Sequence, residues 1–179
     1  MRVLECVPNF SEGRDEQKIQ AIADAIRHTA GASLLHIDIS PAANRTVMTF
    51  AGEREAVVNA AYNAIQKAAE VIDMRKQDGV HPRIGATDVC PLIPLSGMSM
   101  EEANVYAHEL GERVGRDLQI PVYLYEYSAK SDYRRALPDI RKGQYEGFEK
   151  KMNTSEWQPD YGPATFNAAT GATVMGARD

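Results

Sequence analysis

Three segments of the chain gather the residue types that proton transfer and anion binding require. They are Pro8-Asn9-Phe10-Ser11-Glu12-Gly13, the stretch from Asp38 to Arg45, and Gly79-Val80-His81-Pro82-Arg83-Ile84-Gly85-Ala86-Thr87-Asp88. All three read as loops or strand ends, where binding and catalytic groups tend to sit. His81 stands between glycines in a polar stretch, and Pro82 biases its backbone away from the helical region. An unperturbed imidazole titrates near ~6.5, so one such group can accept a proton and return it near neutrality. The bland alternative is an ordinary loop histidine that braces its neighbours. His28 at a helix end, His36 in a strand and His108 inside a helix read as structural. Asp38, His81 and Asp88 could also be read as metal ligands. No His-x-x-x-His or paired-cysteine spacing supports that reading, so no metal is expected. A glycine-rich nucleotide fingerprint, a P-loop and a serine-hydrolase elbow are all missing from the sequence.

The elements that must position these loops follow from periodicity. Residues 3–10 read as a strand, 15–29 as a helix with Ile19, Ile22, Ala23 and Ile26 on one face, and 33–39 and 46–51 as a hairpin. A second helix spans about 53–74, with Val57, Val58, Ala61, Ile65, Ala68, Ala69 and Ile72 as its apolar stripe. A fourth strand follows at 87–95, where Pro91 and Pro94 suggest an edge or a bulge. This β-α-β-β-α-β order is the split-βαβ, ferredoxin-like pattern. It predicts an α/β (α+β) fold with helices on one face of the sheet. Additional elements come after it: a helix at 99–118 opened by a Ser99 cap and early acids, a strand at 121–127, short helices within 131–152, and a β-prone run at 172–175.

Length and composition predict one soluble domain. The chain has 179 residues, 44% of them hydrophobic and 25% charged, and a net charge of -5. Nucleic acid is disfavoured as the main partner, because phosphate binding needs clustered Lys and Arg. An anionic small molecule is not, since a few arginines focused in a cleft outweigh a mildly acidic average. No run of ~18 apolar residues predicts a membrane span, and the charge at Glu5 comes too early for a secretory signal. The expected location is cytoplasmic. Cys6 and Cys90 lie in apolar stretches and read as buried thiols, with a disulfide between them left open.

The run Glu5-Cys6-Val7-Pro8-Asn9-Phe10-Ser11-Glu12-Gly13 resembles the opening of the formiminotransferase N-terminal subdomain. The resemblance continues, in family order, through Asn44-Arg45-Thr46-Val47, His81-Pro82-Arg83-Ile84-Gly85-Ala86-Thr87-Asp88-Val89-Cys90-Pro91 and Ile120-Pro121-Val122-Tyr123-Leu124-Tyr125. It then takes in Asp139-Ile140-Arg141-Lys142-Gly143, Pro159-Asp160-Tyr161-Gly162-Pro163 and Gly171-Ala172-Thr173-Val174-Met175-Gly176-Ala177-Arg178. Each segment alone is weak; together they span nearly the whole chain. The resemblance implies transfer of a formimidoyl group between N-formimidoyl-L-glutamate and tetrahydrofolate, a step of histidine degradation. Tetrahydrofolate is the co-substrate. It implies a catalytic histidine at His81 with an aspartate beside it at Asp38. Its folate-binding stretch falls on Gly162, Pro163, Ala164, Thr165, Phe166, Asn167, Ala168, Ala169, Thr170 and Gly171. A ferredoxin-like fold and a dimer are implied as well. The family often has His-Lys-Gly-Glu before the histidine. This chain has Gln77-Asp78-Gly79-Val80, which removes a cation and an acid near the site.

The chemistry expected of these residues is specific. The attacking amine must lose a proton and the departing amine must gain one, and His81 can serve both in turn. Asp38 could orient it or stabilise its cationic form. Both substrates are anionic, so Arg45 and Arg83 are the candidate carboxylate binders, with ordinary ion pairs as the alternative. Asn9, Ser11 and Asn44 are candidate hydrogen-bonding partners of the substrate. A turn or helix cap is the alternative for Ser11. The whole chain, 1–179, reads as one N-terminal subdomain whose C-terminal counterpart is absent. That leaves two further readings: a non-catalytic folate-binding or dimerising module, and one half of a split transferase that needs a separate C-terminal subunit.

Overall fold

The computed structural model describes residues 2–179. In chain order its main elements are β1 (Leu4–Cys6), β2 (Asn9–Phe10), α1 (Glu16–Arg27), β3 (Ala32–Ser40), β4 (Arg45–Gly52) and α2 (Arg54–Val71). They continue with β5 (Thr87–Pro94), α3 (Met100–Arg113), β6 (Val122–Leu124), α4 (Leu137–Arg141), α5 (Gln144–Met152) and β7 (Thr173–Ala177). One mixed sheet organises them, with strands side by side in the order β3, β4, β1 and β2 in line, β5, β7, β6. Pairing is antiparallel from β3 to β5. β7 then runs parallel to both β5 and β6.

Local chemistry accounts for the first helices. The Asp15 carboxylate accepts the N–H groups of Gln17 and Lys18 and so starts α1, whose Ile19, Ile22, Ala23 and Ile26 are buried. Ser99 caps α3 by accepting from Glu102 N–H. The apolar stripes of α1, α2 and α3 pack on Leu4, Cys6, Phe10, Met48, Phe50, Cys90 and Leu92 of the sheet. Cys6 and Cys90 are free thiols in this layer, their sulfurs 3.4 Å apart. No helix is long and apolar enough to cross a membrane among the described residues.

Three expectations are corrected. Helices cover both faces of the sheet, not one: Ile140 of α4 and Phe148 and Met152 of α5 pack with Val89, Tyr123, Tyr125 and Val174 on the second face. The strands there are apolar on both sides, as parallel strands generally are, and need a second cover. Of the edge or bulge expected at 87–95, the edge is overturned, because β5 lies inside the sheet between β1/β2 and β7. Its register against β2 does shift, Asn9 pairing with Val89 and Phe10 with Thr87. Pro91 has no N–H for the ladder, but its carbonyl accepts from Val7 N–H. The strand at 3–10 is broken into β1 and β2 by Val7 and Pro8, Pro8 having no N–H to donate. Over β3, β4 and β1/β2 the second face stays open: Arg45, Val47 and Thr49 are half-buried while Thr46, Met48 and Phe50 are buried beneath the helices.

The segment at residues 162–171 ends against the histidine loop through a contact between two glycines. Gly85 and Gly171 form an isolated bridge, and Ala86 N–H donates to Thr170 O. A Cβ on Gly85 would lie 1.9 Å from the Ala172 carbonyl oxygen, and Gly171 has φ +64°. Gly85→Ala is therefore expected to destabilise by about 1–3 kcal/mol, as overpacking against backbone does. That lowers the melting temperature by roughly 2–4 °C per kcal/mol for a chain of this size. Gly147 in α5 has nothing within 4 Å of its notional Cβ. Gly147→Ala should raise the melting temperature slightly, alanine being better in a helix by ~0.8–1.0 kcal/mol. A Gly85→Ala melt at or above the parent value would refute the close-approach account.

Candidate active site

The three loops converge at one end of the sheet, where β2 ends and β4 and β5 begin. The pocket there is lined by Asn9, Phe10, Ser11, Ala43, Asn44, Arg45, His81, Pro82, Arg83 and Asp88. Its free space is about 10 Å³, close to that of one water. Arg45 and His81 fill it against each other. The Arg45 guanidinium Nη1 meets the His81 ring at Nε2 and lies 3.1 Å from Nδ1. His81 Nδ1 is 2.8 Å from the Pro82 carbonyl oxygen. A carbonyl only accepts, so in the tautomer with the proton on Nδ1 that nitrogen donates to Pro82 O and Nε2 faces Arg45 as the acceptor.

Not every expected site residue is free to bind a substrate. Ser11 Oγ donates to Gly85 O at 2.7 Å, and its N–H donates to Ala86 O. Asn44 Oδ1 accepts Gly13 N–H at 2.8 Å while its Nδ2 donates to Asp78 O at 2.7 Å. Asn44 sits at φ +53°, a conformation asparagine tolerates better than most residues. Both side chains are braces that lock the three loops together. Arg83 is held by Glu146, with Nη2 to Oε2 at 2.8 Å and Nη1 to Oε1 at 3.2 Å, and also donates to Gln77 O. That ion pair holds the Glu146 carboxyl below its usual range.

Asn9 differs. Its Nδ2 donates to Val7 O at 3.1 Å, but its buried Oδ1 has no partner. The buried Nε of Arg45 is also unpartnered. Burial first, and then the nearby Arg141, pull the Arg45 pKa below its ordinary value. Asp38 is exposed on β3 opposite Val47, and Ser40 is opposite Arg45. Asp38 is thus diagonal to Arg45 on the open face, outside the pocket and not against the imidazole.

The carboxylate inside the pocket is Asp88. Its Oδ1 accepts Ile84 N–H at 2.6 Å, and its Oδ2 pairs with Arg141 from the end of α4. Spacing singled out Asp88 with its loop but gave no signal for Arg141, which is 53 residues further on. Only the segment Asp139-Ile140-Arg141-Lys142-Gly143, within the family resemblance, could have pointed to it. The segment at residues 162–171 is exposed at four of its ten positions, with Phe166 against Tyr145 and Thr170 and Gly171 buried beside Ile84 and Gly85. Among the described residues no three His, Cys, Asp or Glu side chains are grouped as metal ligands would be.

The chain as a whole is similar to several known proteins. The family model described as "Formiminotransferase domain, N-terminal subdomain" matches residues 3–178. The formimidoyltransferase-cyclodeaminase of Dictyostelium discoideum is 48% identical over 177 residues, 99% of this chain and 33% of that protein. The protein of the same name from Rattus norvegicus is 49% identical, with the same shares covered. The glutamate formimidoyltransferase of Streptococcus pyogenes serotype M1 is 38% identical, over 99% of this chain and 59% of that protein. The chain therefore spans between a third and three-fifths of the length of these relatives.

Proposed function

The chain belongs to the formiminotransferase family, as its N-terminal subdomain, and from that premise we propose that it carries the proton-transfer half of a folate-dependent formimidoyltransferase. The reaction moves the amidine carbon from the nitrogen of N-formimidoyl-L-glutamate to N5 of tetrahydrofolate. The bond from that carbon to the glutamate nitrogen breaks, a bond to N5 forms, and the N5 proton ends on the glutamate nitrogen. His81 carries that proton. The supporting observation is the imidazole with Nδ1 tied to Pro82 O and Nε2 turned as an acceptor into the pocket. A general base needs its free nitrogen facing the reacting group.

Arg45 covers that nitrogen in the closed pocket. In this reading a substrate carboxylate draws the guanidinium away, since a carboxylate offers it an opposite charge and bidentate geometry that a neutral imidazole does not. Nε2 is thereby uncovered as the substrate arrives. Asp38, diagonal to Arg45, is placed to receive the displaced guanidinium rather than to orient His81 directly. Asn9 Oδ1 is the unpartnered acceptor for a substrate N–H. The segment Gly162 to Gly171 is the proposed folate contact, supported by its attachment beside the His81 loop. We read the antiparallel β3, β4, β1/β2, β5 portion as ferredoxin-like, supported by its pairing order.

The open sheet face and the nearly filled pocket favour a site completed by the remaining length that the relatives possess. Ligand pockets enclose most of their ligand. The test compares formimidoyl transfer and 5-formyltetrahydrofolate binding for the chain alone and for the chain joined to or mixed with the C-terminal portion. The expected result is weak or no folate binding alone and turnover when completed. Absence of transfer by the completed protein would reject this function, and tight folate binding by the chain alone would reject the shared cleft.

A further inference from the structure

Beside the histidine pocket lies a cleft of about 270 Å³ lined by Pro82, Pro138, Arg141, Lys142, Gly143 and Gln144. Pro82 is common to both, so the cleft continues the pocket past the imidazole loop. Ligand sites run from ~300 to 1,000 Å³, so this space suits one end of a ligand. Two cationic residues and no acidic one line it.

Arg141 is a built feature of this cleft. Its side chain is 11% exposed and that of Asp88 is 5% exposed. Asp88 is fully used, one oxygen by Ile84 N–H and the other by Arg141, while Arg45 also acts on it electrostatically. One buried carboxylate thus pairs with Arg141 and shares the pocket lining with Arg45, two guanidiniums to one acid. The Nε atoms of both arginines are buried without a partner, as is that of the neighbouring Arg83. Buried donors normally find acceptors, so two orphaned guanidinium edges around one carboxylate mark a place prepared for a second anion. The position of Arg141 is fixed independently: Lys151 Nζ donates to the carbonyls of Asp139 (2.8 Å), Ile140 (2.7 Å) and Lys142 (3.0 Å), clamping the end of α4.

We propose that Arg141 binds the free carboxylate of a glutamyl group on the substrate and sets specificity for it. The assignment rests on the transferase reading above and adds the residue that recognises the acid. A glutamyl carboxylate could belong to the amino-acid substrate or to the tail of the folate, and two pairs of substrates separate them. In the completed enzyme, kcat/KM is measured for N-formimidoylglutamate against N-formimidoylglutamine, and for tetrahydrofolate against tetrahydropteroate. The parent protein should favour the acid of the responsible pair by ~10–100-fold, as a hydrogen bond to a charged group does. Arg141→Gln should bring that ratio close to one, and Arg141→Lys should keep part of it. Because Arg141→Gln leaves the buried Asp88 without its paired guanidinium, Arg141→Gln with Asp88→Asn is measured alongside. A purely structural Arg141 would lower overall rates and leave both ratios as they were, and that result would overturn the assignment. Glutarate binding to the isolated chain, followed by NMR on the arginine Nε–H signals, provides a reading without turnover. Shifts in the parent that vanish in the double variant support the site even if no transfer occurs, whereas unchanged shifts in that variant refute it.

Discussion

Replacing His81 by alanine is expected to lower kcat of the completed enzyme by ~10²–10⁴-fold, the usual contribution of a general acid–base group. KM should change far less, because proton transfer belongs to the transition state rather than to substrate binding. The same substitution removes the imidazole that Arg45 rests against, so a second variant is needed to separate the roles. In His81→Asn the amide could still donate to Pro82 O and accept from Arg45, but it cannot carry a proton near neutral pH. The expected result is that His81→Asn is nearly as impaired as His81→Ala. Near-normal turnover in the asparagine variant would show that the residue is only a brace, and the chemistry would then have to reside elsewhere. His36 is exposed on β3, and His108 Nδ1 lies 2.8 Å from Tyr161 Oη, away from the pocket. His36→Ala and His108→Ala should retain turnover once their folded fractions are equalised.

The largest expected loss of stability comes from Arg134. Its side chain is 8% exposed, and it pairs with Asp160, 7% exposed, at 3.4 Å. It also donates to Glu156 O at 2.7 Å, and its guanidinium lies 5.4–5.6 Å from the ring centres of Trp157, Tyr123 and Tyr133. Asp160 in turn accepts Leu124 N–H at 2.8 Å, which ties residues 158–161 to β6. Arg134→Ala leaves the Asp160 charge buried with that single partner. Breaking a buried pair from one side costs about 3–5 kcal/mol, or roughly 6–20 °C in melting temperature for a domain of this size. The pair as a whole is worth much less than the cost of orphaning one member. Arg134→Met combined with Asp160→Asn should therefore recover most of the loss, because the amide oxygen introduced by the second substitution can still accept from Leu124 N–H. Thermal and urea unfolding of the three proteins decide this. A drop below ~1 kcal/mol in Arg134→Ala would mean that water reaches Asp160 and that the pair behaves as a surface one.

The course of the chain as far as β5 was legible because its determinants are local. Asp15 and Ser99 act on N–H groups two or three residues away, and the buried stripes of α1 and α2 repeat at the helical period. The histidine loop was legible for the same reason, since Pro82 constrains the residue just before it. From the short β-prone run at 172–175 alone, nothing indicated that β7 would insert between β5 and β6 and run parallel to both. Parallel neighbours are joined by long crossovers, so their register leaves no short-range trace in the sequence. The placement of α4 and α5 on the second face likewise depends on β5, β7 and β6 lying side by side, which no local signal announces.

The site divides along the same line. Residue types named Asn9, Ser11, Asn44, Arg45, His81 and Arg83 as candidates, but type cannot tell which polar atoms the fold has already used. Partners of Ser11, Asn44 and the Arg83 Nη atoms lie 74, 31 and 63 residues away, and only the folded chain shows that these atoms are occupied. It also shows that Arg45 covers His81, that Asp38 stands diagonal to Arg45, and that Asp88 meets Arg141. A side chain has few hydrogen-bonding positions, and what remains for a ligand is whatever distant parts of the chain do not claim.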